Sequence, residues 1–456
     1  MAGAIQPSAS WDTFLDELYE RIARRFARPE PRKRALSYLK ALVCASERKN
    51  GWTIAEVAGD LSPDGVQRLL SAASWDSREV RDDLRDYVVD HLGDQRSGIL
   101  IVDETSFIKK GQNSVGVGRQ YCGMTDDVEN CQVGVFVGYA SSKGAALIDR
   151  ALYLPEYWAK DQKRRAQAGV PEEVRFVTKP DLAVGMLARA FLEQVPARWV
   201  SADAFYGSNR EFRLFLENRG QPFVLGVRSN DRVWKLPERG RIHEPESLHV
   251  RVDELAAEIP NEHWQRLSAG EGSKDDRPGY WALVELDRLQ LTGWDKFRSY
   301  RHWGRWLLVR RSIADPRQLS YYVVFAPKEG TTMREFVQIA GTRWQIECCF
   351  KEAKGLGLDE YEVRKWDGWY RHITLVMLAH AFVSVVRFYE AAGEQDSGEE
   401  DLIPPTLPEV RRLMRYLLLR RLPDQRSALC WSRWRRKHQM RAKLCHRRRQ
   451  GARRCA

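Results

Sequence analysis

The segment from residue 98 to residue 228 constrains the fold most, because short apolar runs and helical patterns follow one another there in a definite order. The run GILIVDE at 98–104 is rich in β-branched residues, too short for a helix and bounded by glycine, which is typical of a buried strand. The stretches after it read as strand, strand, helix, strand, helix and strand: NCQVGVFVGYAS, GAALIDRALYLP, KPDLAVGMLARAFLEQ, ARWVSAD, NREFRLFLENRG and PFVLGVR. This order predicts an α/β sheet in which three antiparallel strands are extended by parallel ones.

This strand order is that of an RNase H-like core, and it would bring two acids together. Asp103 ends the first strand, directly after its apolar residues, and Asp203 ends the fourth strand. Chemistry collects at the carboxyl ends of strands in open α/β sheets, and the first and fourth strands of this core are neighbours, so we expect the two side chains to project side by side. Two alternatives stay open. Either aspartate could serve only as a helix N-cap, and a shift of one residue would put Glu104 in the place of Asp103.

A third acid lies in the helical stretch RWQIECCFKEAK at 343–354. At about 100° per residue, Glu347 shares a narrow stripe with Arg343, Lys351 and Lys354. An adjoining apolar stripe can anchor the helix to a core and consists of Ile346, Phe350 and Ala353. Taken alone, the pattern also fits a surface helix with i,i+4 salt bridges.

Asp103, Asp203 and Glu347 together would form a site for divalent cations. Three carboxylates so close together repel one another unless cations neutralise them, and Mg²⁺ accepts oxygen ligands while leaving positions for water and phosphate. Two such ions can clamp the attacking and leaving oxygens of a phosphodiester. Arg343 and the two lysines of its stripe would then face a phosphate backbone, with Arg343 able to bind in a bidentate manner.

Composition and charge divide the chain into segments. The predicted segments are a helical DNA-binding domain at 1–95, the first part of the RNase H-like core at 96–228, a β-rich insertion at 229–330, the last part of the core at 331–391, a linker at 392–408 and a basic helical C-terminal segment at 409–456. In the first, TIAEVAGDLSPDGVQRLL reads as helix, turn and helix, which fits a helix-turn-helix unit or an ordinary helical hairpin. The last segment carries 17 lysines and arginines against two acids, in a chain of net charge +12. This asymmetry points to a nucleic-acid partner.

Other classes of protein fit less well. The N-terminus lacks a basic region followed by an apolar core, and no uninterrupted apolar run has membrane-spanning length. We therefore expect a cytoplasmic, nucleoid-associated protein and no membrane partner. The eight cysteines include no CxxC pair, so we expect reduced thiols rather than a zinc site.

These motifs resemble the DDE transposases of bacterial insertion sequences, specifically those with a YREK signature and a β-strand insertion before the final glutamate. The signature reads Tyr, two residues, Arg, three residues, Glu, six residues and Lys, and Arg343, Glu347 and Lys354 match it in identity and spacing. Ala340 occupies the tyrosine position, so a phosphate contact made by that tyrosine is absent or supplied elsewhere. VDETSF resembles the first acidic motif and ADAFYG the second. The resemblance covers about residues 95–390.

The resemblance implies a transposase that binds terminal inverted repeats, cleaves the DNA ends and joins them to target DNA in cut-and-paste transposition, acting as a homodimer on DNA. It implies two Mg²⁺ ions, for which Mn²⁺ can substitute. The residues concerned are Asp103, Asp203 and Glu347 as catalytic metal ligands, Arg343, Lys354 and Lys351 as DNA-binding cations, and Trp294 or Trp303 as a ring that stacks on a flipped base. A hairpin intermediate stays open, and so do two other functions: another RNase H-like nuclease, and a domesticated DNA-binding protein without catalysis.

Overall fold

The computed structural model describes residues 11–44, 48–237, 248–271, 276–290, 302–396, 405–418 and 425–454. The chain forms two compact units, one made of Arg85–Lys351 and the other of Met1–Leu84 with Glu352–Ala456.

The helices and strands are numbered in chain order. The helices are α1 (Trp11–Ala23), α2 (Pro29–Cys44), α3 (Gly51–Val57), α4 (Asp64–Ser71), α5 (Ser77–Leu92), α6 (Glu156–Lys160), α7 (Gln162–Ala168), α8 (Lys179–Leu192), α9 (Ala204–Gly207), α10 (Arg210–Asn218), α11 (Val252–Ala257), α12 (Met333–Thr342), α13 (Trp344–Gly355), α14 (Trp366–Asp396), α15 (Leu407–Leu418) and α16 (Gln425–Arg454). The strands are β1 (Ile99–Ile108), β2 (Gly118–Cys122), β3 (Asp127–Ser141), β4 (Gly144–Tyr153), β5 (Trp199–Ala202), β6 (Phe223–Val227), β7 (Arg232–Lys235), β8 (His249–Arg251), β9 (Gln265–Glu271), β10 (Asp276–Arg288), β11 (Trp303–Arg311) and β12 (Leu319–Pro327).

The unit Arg85–Lys351 is built on one mixed sheet. Strand β3 pairs antiparallel with β1 and β4, and β5 pairs in parallel with β1 and β6. Three antiparallel strands are thus extended by two parallel ones, as predicted. Helix α8 packs on β3 and β4, and α12 packs on β5 and β6. Central strands of such a covered sheet are buried on both faces, which explains their continuous apolar runs.

The predicted β-rich insertion continues this sheet. Strand β12 pairs antiparallel with β6, and β11 and β10 follow outward. Within the insertion the apolar patterns predict β10, β11 and β12, and the structure adds β7, β8, β9 and α11. These added elements are short or polar, so they carry little periodic signal.

The other unit is helical over its described residues. Helix α14 packs against α1, α2, α4 and α15, and its apolar residues are buried. The stretch Trp366–Gly393 is long and apolar enough to cross a membrane, but its most apolar window is 83% buried, as in the core helix of a soluble protein. Helix α14 ends at Asp396 and α15 begins at Leu407, so helices occupy both ends of the segment 392–408 that the sequence predicts as a linker.

Candidate active site

Asp103 and Asp203 occupy neighbouring positions in the sheet. The parallel register of β1 and β5 ends where Val102 lies opposite Ala202, so the next residue in each chain segment is the aspartate. The expectation that Asp103 ends its strand is wrong, because β1 continues to Ile108 alongside the longer antiparallel strand β3. The two acids are adjacent nonetheless.

Asp203 also caps helix α9. Its Oδ1 accepts hydrogen bonds from the amides of Phe205 at 3.0 Å and Tyr206 at 3.3 Å. The N-cap role considered from the sequence is therefore present, but it uses only one carboxylate oxygen. A cap that fixes the orientation of the side chain is compatible with a role as a ligand.

Two glycines allow the turn that carries Asp203 to lie against β6. A Cβ added to Gly207 would lie 1.9 Å from the carbonyl oxygen of Gly226, and a Cβ added to Gly226 would lie 3.0 Å from the amide nitrogen of Ala204. A larger residue at Gly207 would have to move the backbone. The orientation of Asp203 thus depends on this close approach.

Burial and repulsion act on both aspartates. Burial, followed by the charge of Asp203, raises the pKa of Asp103 to about 7, although the charge of Arg343 opposes the rise. Burial, followed by the charge of Glu104, raises the pKa of Asp203. Perturbed carboxylates that face each other in this way are typical of sites that bind cations or perform proton chemistry.

Glu104, the alternative to Asp103, is engaged by other side chains. Lys179 places Nζ 2.8 Å from its Oε1, and the hydroxyl of Tyr206 donates to its Oε2. These partners orient and neutralise Glu104, so Asp103 is the better candidate ligand. Sequence reasoning missed Lys179 and Tyr206, because their roles depend on where α8 and α9 begin in space.

Arg343 links the third acid to the first. It lies at the junction of α12 and α13, with Nη1 3.4 Å from Oδ2 of Asp103 and Nη2 2.8 Å from Oε1 of Glu347. The i,i+4 salt bridge considered from the sequence is present, and it is one half of this three-residue link. The guanidinium group therefore lies between the two carboxylates.

The apolar stripe of α13 holds Glu347 in this position. The buried residues of the stripe are those predicted from the sequence: Ile346, Phe350 and Ala353. The ring of Phe350 contacts that of Phe136 on β3, with centroids 5.4 Å apart. Lys351 is exposed and Lys354 is half-buried, and their contact with DNA stays a prediction.

Two arginines of the insertion lie near Arg343, and we call the three together the arginine cluster. Arg277 donates from Nη2 to a backbone carbonyl of α12 at 3.2 Å, and Arg310 lies 5.9 Å from the ring centroid of Trp281. Burial raises the pKa of Tyr322 on β12, and the charges of the three arginines oppose the rise, so all three lie near this phenol. The motif search missed Arg277 and Arg310, because only the folded sheet brings their strands together.

The two tryptophans predicted to stack on a base have different outcomes. Trp294 lies outside the described residues. Trp303 lies opposite Pro327, roughly 15 Å along the strands from the level of Asp203 and three strands to the side. Its ring stacks on that of Phe325 with centroids 4.5 Å apart. This position argues against stacking on a base beside the acids of the same chain.

The donor set fits a hard divalent cation in its chemistry, because all three candidates are carboxylates and Mg²⁺ prefers oxygen ligands. Over the ranges that the structure describes, no group of three or more His, Cys, Asp or Glu side chains is close enough to hold one ion. Asp103 and Asp203 fit a metal as a pair. The participation of Glu347 stays a prediction, since Arg343 lies between it and Asp103.

The mixed sheet with the acids at its centre defines an α/β protein, and this arrangement fits the expected RNase H-like core. A family model described as DDE superfamily endonuclease matches residues 18–275, which is more than half of the chain, and the chain belongs to this family. A second model, described as transposase DDE domain, matches residues 178–382.

A curated relative gives the same assignment. The chain is 29% identical over 239 residues to a protein of Microchaete diplosiphon named "Probable transposase for insertion sequence element IS701". The match covers 51% of this chain and 59% of the relative, so it spans less than two thirds of that protein. The predicted resemblance to DDE transposases of insertion sequences is confirmed by these matches.

Proposed function

We propose that this chain is a transposase that binds the terminal inverted repeats of an insertion sequence, cleaves the DNA ends and joins them to target DNA by a cut-and-paste route. The observation that carries the proposal is the adjacency of Asp103 and Asp203 at the centre of the sheet, with Arg343 connecting Asp103 to Glu347. The family assignment and the name of the relative support it.

Asp103, Asp203 and Glu347 are the proposed ligands of two Mg²⁺ ions, for which Mn²⁺ can substitute. Such ions, when bound, lower the pKa of water and offset the charge of a reacting phosphodiester. The α9 cap keeps Asp203 oriented for this role. Glu347 joins the other two acids once Arg343 turns from the carboxylates to a DNA phosphate, which it can bind through two parallel hydrogen bonds.

The arginine cluster is the proposed binding site for the phosphate next to the cleaved bond. Arg277 and Arg310 bring two more guanidinium groups from the insertion, and Tyr322 adds a phenol close to all three cations. This phenol is a candidate replacement for the tyrosine that the signature lacks at Ala340. Lys351 and Lys354 would contact the backbone farther along α13.

The helices of the other unit form the proposed surface for the DNA ends. Helix α16 contains no acid in its 30 residues and docks on α3 and the turn after it through Trp431 and Trp434. Trp431 is buried and donates from Nε1 to the carbonyl of Asp60 at 2.9 Å, and Trp434 meets Trp52 edge-on at 4.9 Å. The basic segment is thus attached to the candidate helix-turn-helix rather than independent of it. Because two DNA ends must be joined, a homodimer on DNA belongs to the proposal.

The test is a cleavage and strand-transfer assay with Mg²⁺ on DNA that carries the coding region and its flanking sequences. We expect nicking at both element boundaries and joined products, and loss of both with Asp203→Asn. Asparagine also caps helices, so this variant should fold normally.

The same assay separates the two other functions. Cleavage of branched DNA or RNA–DNA hybrids without preference for the boundaries would favour a different RNase H-like nuclease. Tight binding of the boundaries without cleavage in either Mg²⁺ or Mn²⁺ would favour a DNA-binding protein that has lost catalysis.

A further inference from the structure

An open groove next to the candidate active site carries side chains that the proposed chemistry does not use. Its cavity volume is about 460 Å³. We call it the aromatic groove, and it is lined chiefly by Arg119, Tyr121, Tyr153, Tyr157, Lys179 and Phe205.

Three rings of the groove are accessible to solvent. Tyr121 is 56% exposed, Tyr157 is 48% exposed and Phe205 is 38% exposed. The hydroxyl of Tyr121 donates to Asp126 at 2.5 Å, which holds the ring in place without covering its faces. Exposed aromatic rings gathered in one concavity mark a binding site rather than a scattered surface feature.

The groove is formed by elements that converge beside the core strands. Arg119 and Tyr121 are two residues apart on the edge strand β2. Every second residue of a strand points to the same face, so both side chains lie on one side of β2. Tyr153 ends β4, Tyr157 comes from α6, Lys179 from the start of α8 and Phe205 from the start of α9. Residues from five elements thus form one surface, which no local sequence pattern reveals.

Two residues that line the groove also contact acids of the candidate active site. Lys179 lies 5.0 Å from the ring centroid of Phe205 and 2.8 Å from Glu104, the neighbour of Asp103 in β1. The amide of Phe205 donates to Asp203. A ligand bound across Phe205 and Lys179 would therefore reach the acids directly.

The charge of the groove suits an anionic chain. Arg119 and Lys179 lie on its walls, and a second cavity of about 460 Å³ continues past Arg119 and Tyr157 to Arg164. One acid, Glu156, also lines the groove, and Lys160 neutralises it at 2.8 Å. Lys179 is paired with Glu104, so the positive charge of this path comes chiefly from Arg119 and Arg164.

We propose that the aromatic groove binds the unpaired bases of a single DNA strand that leads away from the candidate active site. Exposed rings between cations are the pattern that binds single strands without sequence readout, because any unstacked base offers a face to stack on. Bases inside a duplex are already stacked on their neighbours and offer no such face. This inference rests on the proposed function, since the strand would be supplied by DNA opened at the cleaved end.

The test measures binding of the full-length chain to a fluorescent 12-nucleotide oligo-dT and to a 12-base-pair duplex, both in EDTA so that no cleavage occurs. Replacing Tyr121 and Tyr157 by alanine should weaken oligo-dT binding about five- to 150-fold for each base that loses its stacking partner. Duplex affinity should stay unchanged, and the double variant with phenylalanine at both positions should keep wild-type affinity for oligo-dT. Tyr280→Ala is the matched control, because this tyrosine is 41% exposed on β10 in the other half of the sheet.

Two outcomes would overturn the proposal: unchanged oligo-dT binding in the alanine double variant, or an equal loss of duplex and oligo-dT binding. A thermal melt of each variant separates these from misfolding. Ultraviolet cross-linking of 4-thiothymidine in the oligonucleotide to Tyr157 gives a positive readout that does not depend on affinity. Because none of these measurements requires cleavage, they can fail while the proposed transposase activity stands, and they can succeed if that activity is absent.

Discussion

Replacing Gly207 by alanine tests whether the orientation of Asp203 depends on the close approach of α9 to β6. Gly207 is the last residue of α9, and Asp203 caps the other end of the same single turn. The change adds one methyl group, alters no charge and touches no proposed ligand. Its effect on activity must therefore come from the position of the turn.

The magnitude follows from the space at this position. The new Cβ would lie 1.9 Å from the carbonyl oxygen of Gly226, while real Cβ atoms essentially never come closer than 3.0 Å, so α9 and β6 must separate by about 1 Å. Overpacking of this kind costs about 1–3 kcal/mol of stability. A displacement of about 1 Å at a catalytic group can lower the rate about 100-fold. We therefore expect cleavage to fall much more than stability explains.

The assay combines Mg²⁺-dependent nicking of the flanked DNA with urea unfolding at the same temperature. Gly185→Ala on α8 is the matched control, since its Cβ would meet only the flexible end of the Arg189 side chain, at 4.0 Å. The control should keep wild-type cleavage. Gly207→Ala should remain folded at the assay temperature and cleave about 100-fold more slowly. If Gly207→Ala is measurably destabilised but cleaves at the wild-type rate, the orientation of Asp203 does not depend on this contact. If the variant is as stable as the wild type, the close approach of α9 to β6 is itself refuted.

Three further perturbations test other parts of the structure. Arg343→Ala removes the cation between Asp103 and Glu347. The affinity for Mn²⁺ in the absence of DNA, measured by calorimetry, should therefore rise, while the cleavage rate should fall. Weaker Mn²⁺ binding by the variant would contradict this. Replacing both Trp431 and Trp434 by alanine removes the contacts that dock α16 without changing the net charge, so affinity for the flanking DNA should fall in a gel-shift titration. Met440→Ala, at an exposed position of the same helix, should bind normally. Equal affinities would mean that the basic helix acts without docking. Burial raises the pKa of Glu352, but the hydrogen bond from His380 and nearby positive charges outweigh it and lower the pKa below 4.5. The ionised Glu352 therefore stabilises the fold above about pH 4.5, and this stabilisation is lost as the pH falls through the lowered pKa. Glu352→Gln should make the decline of Tm below pH 5 less steep. Parallel curves of Tm against pH for both proteins would exclude this contribution.

Local patterns predict the central elements of the fold well. The apolar runs that became β1, β3, β4, β5 and β6 are long enough and sufficiently β-branched to be distinguished from the amphipathic helices between them. The helical stripe predicts the burial of Ile346, Phe350 and Ala353, because residues at this spacing share one face of α13. Such patterns do not predict β8 and β9, which are short and largely polar. These segments are strands because they pair with β7 and β10.

The candidate site divides in the same way. Asp103 and Asp203 could be selected from the sequence, because each directly follows an apolar run and the expected strand order makes the runs neighbours. Arg343 could be selected by its spacing from Glu347. Its position between two carboxylates could not, since that depends on the angle at which α12 and α13 meet the sheet.

The sequence by itself determined the order of strands and helices, the identity of the acids and the basic character of the C-terminal segment. These follow from residue types and from periods of two and 3.6, which act over a few neighbours. Only the tertiary structure decided that β1 continues past Asp103, that Trp303 lies far from the acids, and that Tyr121 and Tyr157 share a groove with Lys179. Such proximities depend on strand register and on the placement of distant segments, and no short window of sequence contains that information.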